Sequence, residues 1–306
     1  MSPNLPGKAM ERPRCIVVTG ATGFTGRFVV RELSRTFPEA TLRCLVRPAS
    51  DRRRLDAPRI EFVEGDLHET ASLRAAFVDA DVLVNVASLG FGWVDALFAA
   101  IAGSTLRRAV FVSTTAILTK LPVTSRPLRE HGEDLVRQSG LAWTIVRPTM
   151  IYGTPEDRNI ARLIRFVQQS PVVPVIAPRA LQQPVHVEDV AGAIVACVTA
   201  PQTIGQTYTL SGREPLTFES LVREVVAATG RRAAIVHLPL TPVAQLVRAY
   251  NAIVSKPRLT VEQVLRLQED KAFDHGAARD AFGFSPRSFA EGVREEVRLI
   301  AAARHR

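Results

Sequence analysis

The sequence predicts an α/β fold, a doubly wound parallel sheet with a smaller, interleaved C-terminal substrate lobe. Three observations carry this. From Arg14 onward, short and nearly continuous apolar runs alternate with amphipathic stretches of helical length, the rhythm of a parallel sheet covered on both faces. The segment Thr19-Gly20-Ala21-Thr22-Gly23-Phe24-Thr25-Gly26-Arg27 stands between the first apolar run and the first helical stretch. After Pro148 the texture changes, with Pro155, Pro171, Pro174, Pro178 and Pro184 cutting the chain into short segments, as in a lobe built from insertions.

Taken in order, strands are predicted at Cys15–Thr19, 42–46, 61–64, 82–87, 109–113 and 144–147. Helices fill the gaps at Gly26–Thr36, 70–78, 94–102 and 128–139; the last sets Leu128, Leu135 and Val136 among charged residues and ends on the stop signal Ser139-Gly140. A further helix is expected at Val187–Thr199 and a late strand at 207–210, returning to the edge of the main sheet. The organisation this implies is an N-terminal tail over 1–14, a dinucleotide-binding domain over 15–152 and a mainly substrate-binding lobe over 153–306, with 185–211 returning to the first domain. The helix-rich tail from Phe218 is expected to close over the carboxyl edge of the sheet. The sequence holds no internal repeat or low-complexity segment.

Composition narrows the function classes. With 306 residues, 46% hydrophobic and 23% charged, the chain has the balance of a globular protein able to bury a large core. A net charge of +9 raises nucleic acid as a partner, but arginine supplies all of the 39 basic residues except Lys8, Lys120, Lys256 and Lys271. These arginines are scattered along helices, apart from Arg52-Arg53-Arg54 and Arg231-Arg232, so a small-molecule substrate is expected and nucleic acid is not. Cys15, Cys44 and Cys197 sit in apolar runs without metal-ligand spacing, which predicts reduced, buried thiols and no metal. The first 14 residues lack a signal-peptide core, and no run reaches the length of a spanning helix; a cytoplasmic protein is expected.

The glycine segment gives the strongest functional signal. In this strand–turn–helix setting Gly20 supplies backbone freedom, Gly23 lets a pyrophosphate approach and Gly26 permits tight helix–strand packing, while N–H groups of the turn and helix start (Thr22, Phe24, Thr25) face the phosphates. This is the Rossmann pattern. Where NAD-specific folds place an acid after the second strand, the chain has Val46-Arg47-Pro48. A guanidinium suits a 2′-phosphate and lacks the acceptor that ribose hydroxyls want, so NADP(H) is the expected cofactor.

These residues resemble the short-chain dehydrogenase/reductase superfamily, specifically its extended and atypical branches. The resemblance continues in Gly65-Asp66-Leu67, Ser113-Thr114-Thr115, Thr144-Ile145-Val146-Arg147-Pro148-Thr149-Met150-Ile151-Tyr152-Gly153 and Gln183-Pro184-Val185-His186-Val187-Glu188-Asp189-Val190, and Phe282-Gly283-Phe284-Ser285-Pro286 is similar to the tail of nucleotide-sugar epimerases. It implies that Asp66 and Leu67 line the adenine, that Ala87 and Ser88 pass beneath the cofactor, and that Pro148 and Thr149 border the nicotinamide. It also implies structural roles for His186, as a satisfied histidine, and Asp189, as a helix N-cap.

The resemblance breaks at the catalytic pair. Alcohol oxidation in this superfamily uses Tyr-x-x-x-Lys, the ammonium lowering the phenol pKa; counting back from Arg147-Pro148, the pair falls on Ser125 and Arg129. None of the three tyrosines, Tyr152, Tyr208 and Tyr250, has a lysine four residues later. Arg129 stays protonated and can orient a substrate oxygen but not relay a proton, while Ser113, Thr114 and Thr115 can hydrogen-bond a carbonyl. His131, two positions beyond Arg129, is expected to point elsewhere. Three readings remain open: an NADP(H)-dependent reductase of an activated acceptor acting through Ser113, Thr115, Ser125 and Arg129; a nucleotide-sugar epimerase, dehydratase or reductase holding a diphosphate through Arg158, Arg162, Arg165 or Arg179; and a non-catalytic NADP(H)-binding sensor or assembly subunit.

Overall fold

A computed structural model describes residues 12–55, 57–121, 125–254 and 265–303. Most of the expected N-terminal tail lies outside them. The central sheet has seven strands in the order β3-β2-β1-β4-β5-β6-β11, formed by β1 (Cys15–Thr19), β2 (Thr41–Val46), β3 (Ile60–Glu64), β4 (Val82–Asn85), β5 (Arg108–Val112), β6 (Ala142–Pro148) and β11 (Gln206–Leu210). Every neighbouring pair is parallel, and the order reverses between β1 and β4, where doubly wound sheets open a crevice beyond their strand ends.

Alternation along β1 feeds two cores. Ile16 and Val18 pack beneath α1 (Gly26–Thr36) and α6 (Val187–Thr199), whereas Cys15 and Val17 pack with α2 (Thr70–Phe77) and α3 (Val94–Ile101). Helix α1 buries Val29, Val30 and Leu33 on one stripe, each contributing about 1.5–3 kcal/mol through burial. α4 (Arg126–Gln138) starts two residues earlier than its apolar pattern suggests, because Pro127 suits the first turn. Cys44 and Cys197 are buried free thiols, each pushed up to about 12 by burial.

The second lobe contains strands that the sequence pattern hid. They are β7 (Ile151–Tyr152), β8 (Val172–Ile176), β9 (Leu181–Gln182), β10 (Val185–His186), β12 (Leu216–Thr217) and β13 (Ala234–Leu238), joined in three two-stranded pairs. Their core lies against α5 (Ile160–Gln169), α7 (Phe218–Thr229) and the C-terminal helix α10 (Phe289–Ala303); α8 (Leu240–Ile253) and α9 (Gly276–Phe282) complete the tail. Thr217 caps α7 through the Ser220 N–H at 3.1 Å, and Gly230, with φ of 64°, ends it. The tail does not lie as a helical cover over the sheet: α10 packs on α5 and α7, and residues 269–273 are the part that reaches the sheet's carboxyl edge.

Asp189 is not the N-cap of α6. His186 holds that position, its Nδ1 accepting the Glu188 N–H at 3.3 Å, while Asp189 pairs with Arg287 at 3.1 Å. The His186 ring meets Tyr152 edge-on at 5.4 Å, and its buried Nε2 has no hydrogen-bond partner among the described residues. Burial, reinforced by Arg287, pushes its pKa down to about 4, so the ring is neutral.

Glu296 on α10 is fully buried, and burial together with the facing Asp157 pushes its pKa up to about 10. Asp157 is committed to the start of α5, accepting the N–H groups of Asn159 at 2.6 Å and Ala161 at 2.9 Å. The folded state thus holds a proton on Glu296 that the unfolded chain releases near its ordinary carboxylate range. Stability from this group is full below that range and is lost as pH rises toward 10. Glu296→Gln, neutral at all pH, is expected to be more stable than the parent by on the order of 5 kcal/mol at pH 8 and about equal to it at pH 4; denaturant unfolding at both pH values checks this, and a gap that does not widen with pH contradicts it.

Candidate functional site

The glycine turn sits at the reversal point of the sheet. Gly20 has φ of 69°, and a Cβ there would lie 2.8 Å from the Ala87 nitrogen, so the β4 exit loop passes directly under the turn. That loop is pinned through Asn85, which accepts from the Thr19 hydroxyl at 2.7 Å and donates to the Ala87 carbonyl at 2.8 Å. Gly23 N–H closes the turn on the Gly20 carbonyl at 3.0 Å. At Gly26 a Cβ would collide with the Gly20 carbonyl and Ala21. Thr25, the N-cap of α1, makes no side-chain cap bond, and the first turn carries no acid. The helix start is therefore a positive, uncapped end able to hold a phosphate.

Beyond β2 and β3 lies a cavity of about 710 Å³ lined by Arg47, Pro48, Ala49, Gly65, Asp66 and Ser72, with Glu64 and Glu69. Asp66 is locally fixed, its nitrogen bonded to Ser72 Oγ at 3.1 Å and its carboxylate accepting the His68 N–H at 2.9 Å. The arginines here divide cleanly. Arg52 pairs with Glu64, Arg53 with Asp51 at 2.9 Å and Arg54 with Glu156 at 2.8 Å, whereas the exposed Arg47 has no ion-pair partner among the described residues. Leu67 packs at the margin of the α2/α3 core.

A second cleft, of about 690 Å³, opens past β5 and β6. Its walls include Thr114, Thr115, Thr149, Met150, Asn159 and Gln182, and the strap Glu269–Phe273 closes one side. Glu269 accepts from the Thr119 hydroxyl at 2.7 Å and the Lys120 N–H at 2.7 Å; Asp270 accepts the Leu181 N–H at 2.8 Å. Thr115 Oγ1 lies 3.3 Å from the Pro148 carbonyl, and Thr149 Oγ1 donates to Gln183 O at 2.5 Å. Thr115 and Thr149 are thus brought together at the mouth of the strands, with Pro148 beside them.

Ser113, by contrast, turns inward. Its hydroxyl donates to Glu133 at 2.7 Å, and Glu133 also pairs with Arg147 and, at 2.7 Å, with Arg137. Burial raises the Glu133 pKa, but the Arg147 and Ser113 hydrogen bonds outweigh it and hold the carboxyl below its ordinary range. Ser125 forms the N-cap of α4 and is not among the cleft walls. Arg129 runs its side chain over Gly90, where a Cβ would lie 2.9 Å from Cγ, close to Ser88, whose Oγ is 3.3 Å from the Gly90 nitrogen. His131 points away to Asp95, 3.0 Å off on α3. Arg158, Arg162, Arg165 and Arg179 line neither large cavity. Lys120, Asn159, Gln182 and 269–273 were not signalled by any motif; they come from loops assembled only in three dimensions.

A parallel sheet reversing at an uncapped glycine-rich helix start, with one cavity on either side of the reversal, defines a dinucleotide-binding α/β protein of the Rossmann class. The chain belongs to the NAD(P)H-binding family, whose sequence model matches residues 20–201, and its fold is shared with solved epimerases and dehydratases. It is 28% identical to a ceramide reductase of Caulobacter vibrioides over 95% of this chain and 92% of the relative. It is 27% identical to the mitochondrial NADH dehydrogenase [ubiquinone] 1 alpha subcomplex subunit 9 of Mus musculus, over 82% and 70% of the two chains. Among solved structures, a dTDP-glucose 4,6-dehydratase from Streptomyces venezuelae with NAD bound superposes with a TM-score of 0.72 at 19% identity, over 95% of this chain and 98% of that one. Among the described residues no helix is long and apolar enough to cross a membrane, and no cluster of metal-ligating residues occurs.

Proposed function

We propose that the protein is an NADP(H)-dependent reductase of a small molecule bearing a polarised carbonyl or similar activated acceptor. The observation that carries the cofactor choice is Arg47, whose guanidinium in the cavity beyond β2 has no ion-pair partner among the described residues. The dinucleotide would lie with its pyrophosphate on the Gly20–Gly26 turn, its adenine against Asp66 and Leu67, its 2′-phosphate at Arg47, and its nicotinamide end past Ala87 and Ser88 toward Pro148 and Thr149. When bound, it supplies hydride. Residues of the chain have a lighter task than in an alcohol dehydrogenase: Thr115 offers a hydroxyl to the acceptor oxygen, the cleft positions the substrate, and Arg129, whose side chain runs over Gly90, orients a polar group of the bound ligand. Ser125 and Arg129 replace a proton-relaying pair, so oxidation of unactivated alcohols has no base. The ceramide reductase relative agrees with a reductive direction.

A second reading, a non-catalytic NADP(H)-binding subunit, draws on the likeness to the mouse NADH dehydrogenase subunit and on the same missing base. One experiment separates them. Calorimetric titration should show NADPH binding tighter than NADH, with Arg47→Asp weakening NADPH by about 10- to 100-fold. A subsequent acceptor screen should show NADPH consumption, with Thr115→Ala lowering kcat/KM about 100-fold and Ser125→Ala changing it by roughly tenfold or less. Equal affinities for the two cofactors would remove the NADP(H) assignment, and binding without consumption across carbonyls, imines, quinones and enones would favour the subunit.

A further inference from the structure

We propose that the outer face of the β8–β13 ribbon and the adjoining helix α8 dock on an anionic lipid bilayer. β8 and β13 pair in parallel, with Val172 opposite Ala234, Pro174 opposite Val236 and Ile176 opposite Leu238. The period of a strand puts all of these on one face, and the alternate residues Val173 and Val175 are buried in the lobe core on the other. On the outer face Val172, Val236 and Leu238 are 43%, 42% and 37% exposed. Helix α8 follows at once after Pro239. Val247 is its buried residue, and Leu246, Tyr250 and Ile253, at the spacing of one helical stripe, are 72%, 38% and 85% exposed. Single exposed apolar residues are ordinary, but an apolar strand face followed within two residues by an exposed apolar helical stripe is the pattern of a contact surface.

Charge selects the partner. The sequence has no aspartate or glutamate from Val225 to Val254, while Arg231, Arg232 and Arg248 are exposed there. Glu219, the acid that reaches the ribbon, is already met by Arg223 at 2.5 Å and His237 at 3.1 Å. An apolar surface rimmed by arginine suits a bilayer whose phosphates pair with the guanidinium groups while aliphatic side chains enter the acyl boundary and a tyrosine sits at headgroup depth. A second copy on the same face would set these arginines against their own symmetry mates, with no acid between Val225 and Val254 to neutralise them. None of these residues lines either cavity, so the proposal stands apart from the reductase reading.

Vesicle flotation of the full chain tests it. Binding is expected to vesicles containing phosphatidylglycerol and not to pure phosphatidylcholine, and to fade as salt approaches about 1 M. The paired change Leu246→Glu with Ile253→Glu should reduce binding about tenfold or more, and Arg231→Glu with Arg232→Glu should do so while leaving the apolar face intact; circular dichroism and Tm confirm that both variants fold. Absence of flotation with either vesicle overturns the proposal, as does equal binding to neutral vesicles. Concentration-dependent self-association that Leu246→Glu with Ile253→Glu abolishes, without vesicle binding, would assign the face to a second copy instead.

Discussion

Arg108→Met is expected to destabilise the protein by about 3–5 kcal/mol and to lower Tm by about 10 °C. Arg108 opens β5 with its side chain 1% exposed, and no carboxylate meets it among the described residues. Its charge is held by oxygen dipoles: the carbonyls of Cys197 and Val198 at the end of α6, that of Ala142 at 2.5 Å, and the hydroxyls of Thr144 at 2.6 Å and Thr203 at 2.9 Å. The terminal carbonyls of a helix have no partners within it and carry its negative end, so a buried cation there satisfies them and is satisfied. Burial nonetheless pushes the guanidinium down to about 10, which still leaves it charged at neutral pH. Methionine fills the space but leaves those acceptors buried without donors, and each such group costs about 1–3 kcal/mol. Lysine, with a compact head, cannot span the same fan of acceptors, and Arg108→Lys should recover only part of the loss. Guanidinium unfolding of the three proteins measures this; a midpoint for Arg108→Met equal to the parent's would show that water, not Arg108, satisfies the end of α6.

The same residue shows where sequence reading reaches its limit. A charged side chain at the head of an apolar run reads as outside the strand, so β5 was expected from Ala109. It lies inside because α6, some ninety residues later, delivers its carbonyls to that spot, and no local pattern carries that information. The main sheet was legible for the opposite reason, since strands buried on both faces must be apolar throughout and helices between them must show a stripe. The glycine turn and Arg47 were legible because their positions are set by the chain just before them. Ser113 stands at the expected strand end, but its hydroxyl is drawn inward by Glu133, whose own partner Arg147 arrives from the next strand. Of the walls of the second cleft, Thr114, Thr115 and Thr149 follow strand ends and carry a motif, whereas Asn159, Gln182 and 269–273 share no spacing at all. The ribbon β8–β13 escaped because Pro174 interrupts one strand and the other is exposed along most of its length.

Gly23→Val is expected to weaken NADPH binding by roughly 100-fold or more, the worth of about two charge-assisted hydrogen bonds, while changing stability by only about 0.5 kcal/mol. The two effects separate because of what surrounds the missing side chain. A Cβ at Gly23 would meet the Gly20 carbonyl at 3.1 Å and, apart from its chain neighbours, no other heavy atom of the described residues within 4 Å, so the fold can absorb it with a small shift. The open space in front is the approach that a pyrophosphate would use toward the uncapped start of α1, and a valine would fill it. Gly26→Val makes the contrast, since its Cβ would overlap the Gly20 carbonyl and Ala21; that variant should lose binding and stability together. Calorimetry with NADPH alongside thermal melts of both variants reads the two quantities independently. If Gly23→Val bound NADPH at the parent's affinity, the pyrophosphate would not lie over this turn, and the place given to the 2′-phosphate at Arg47 would lose the frame that positions it.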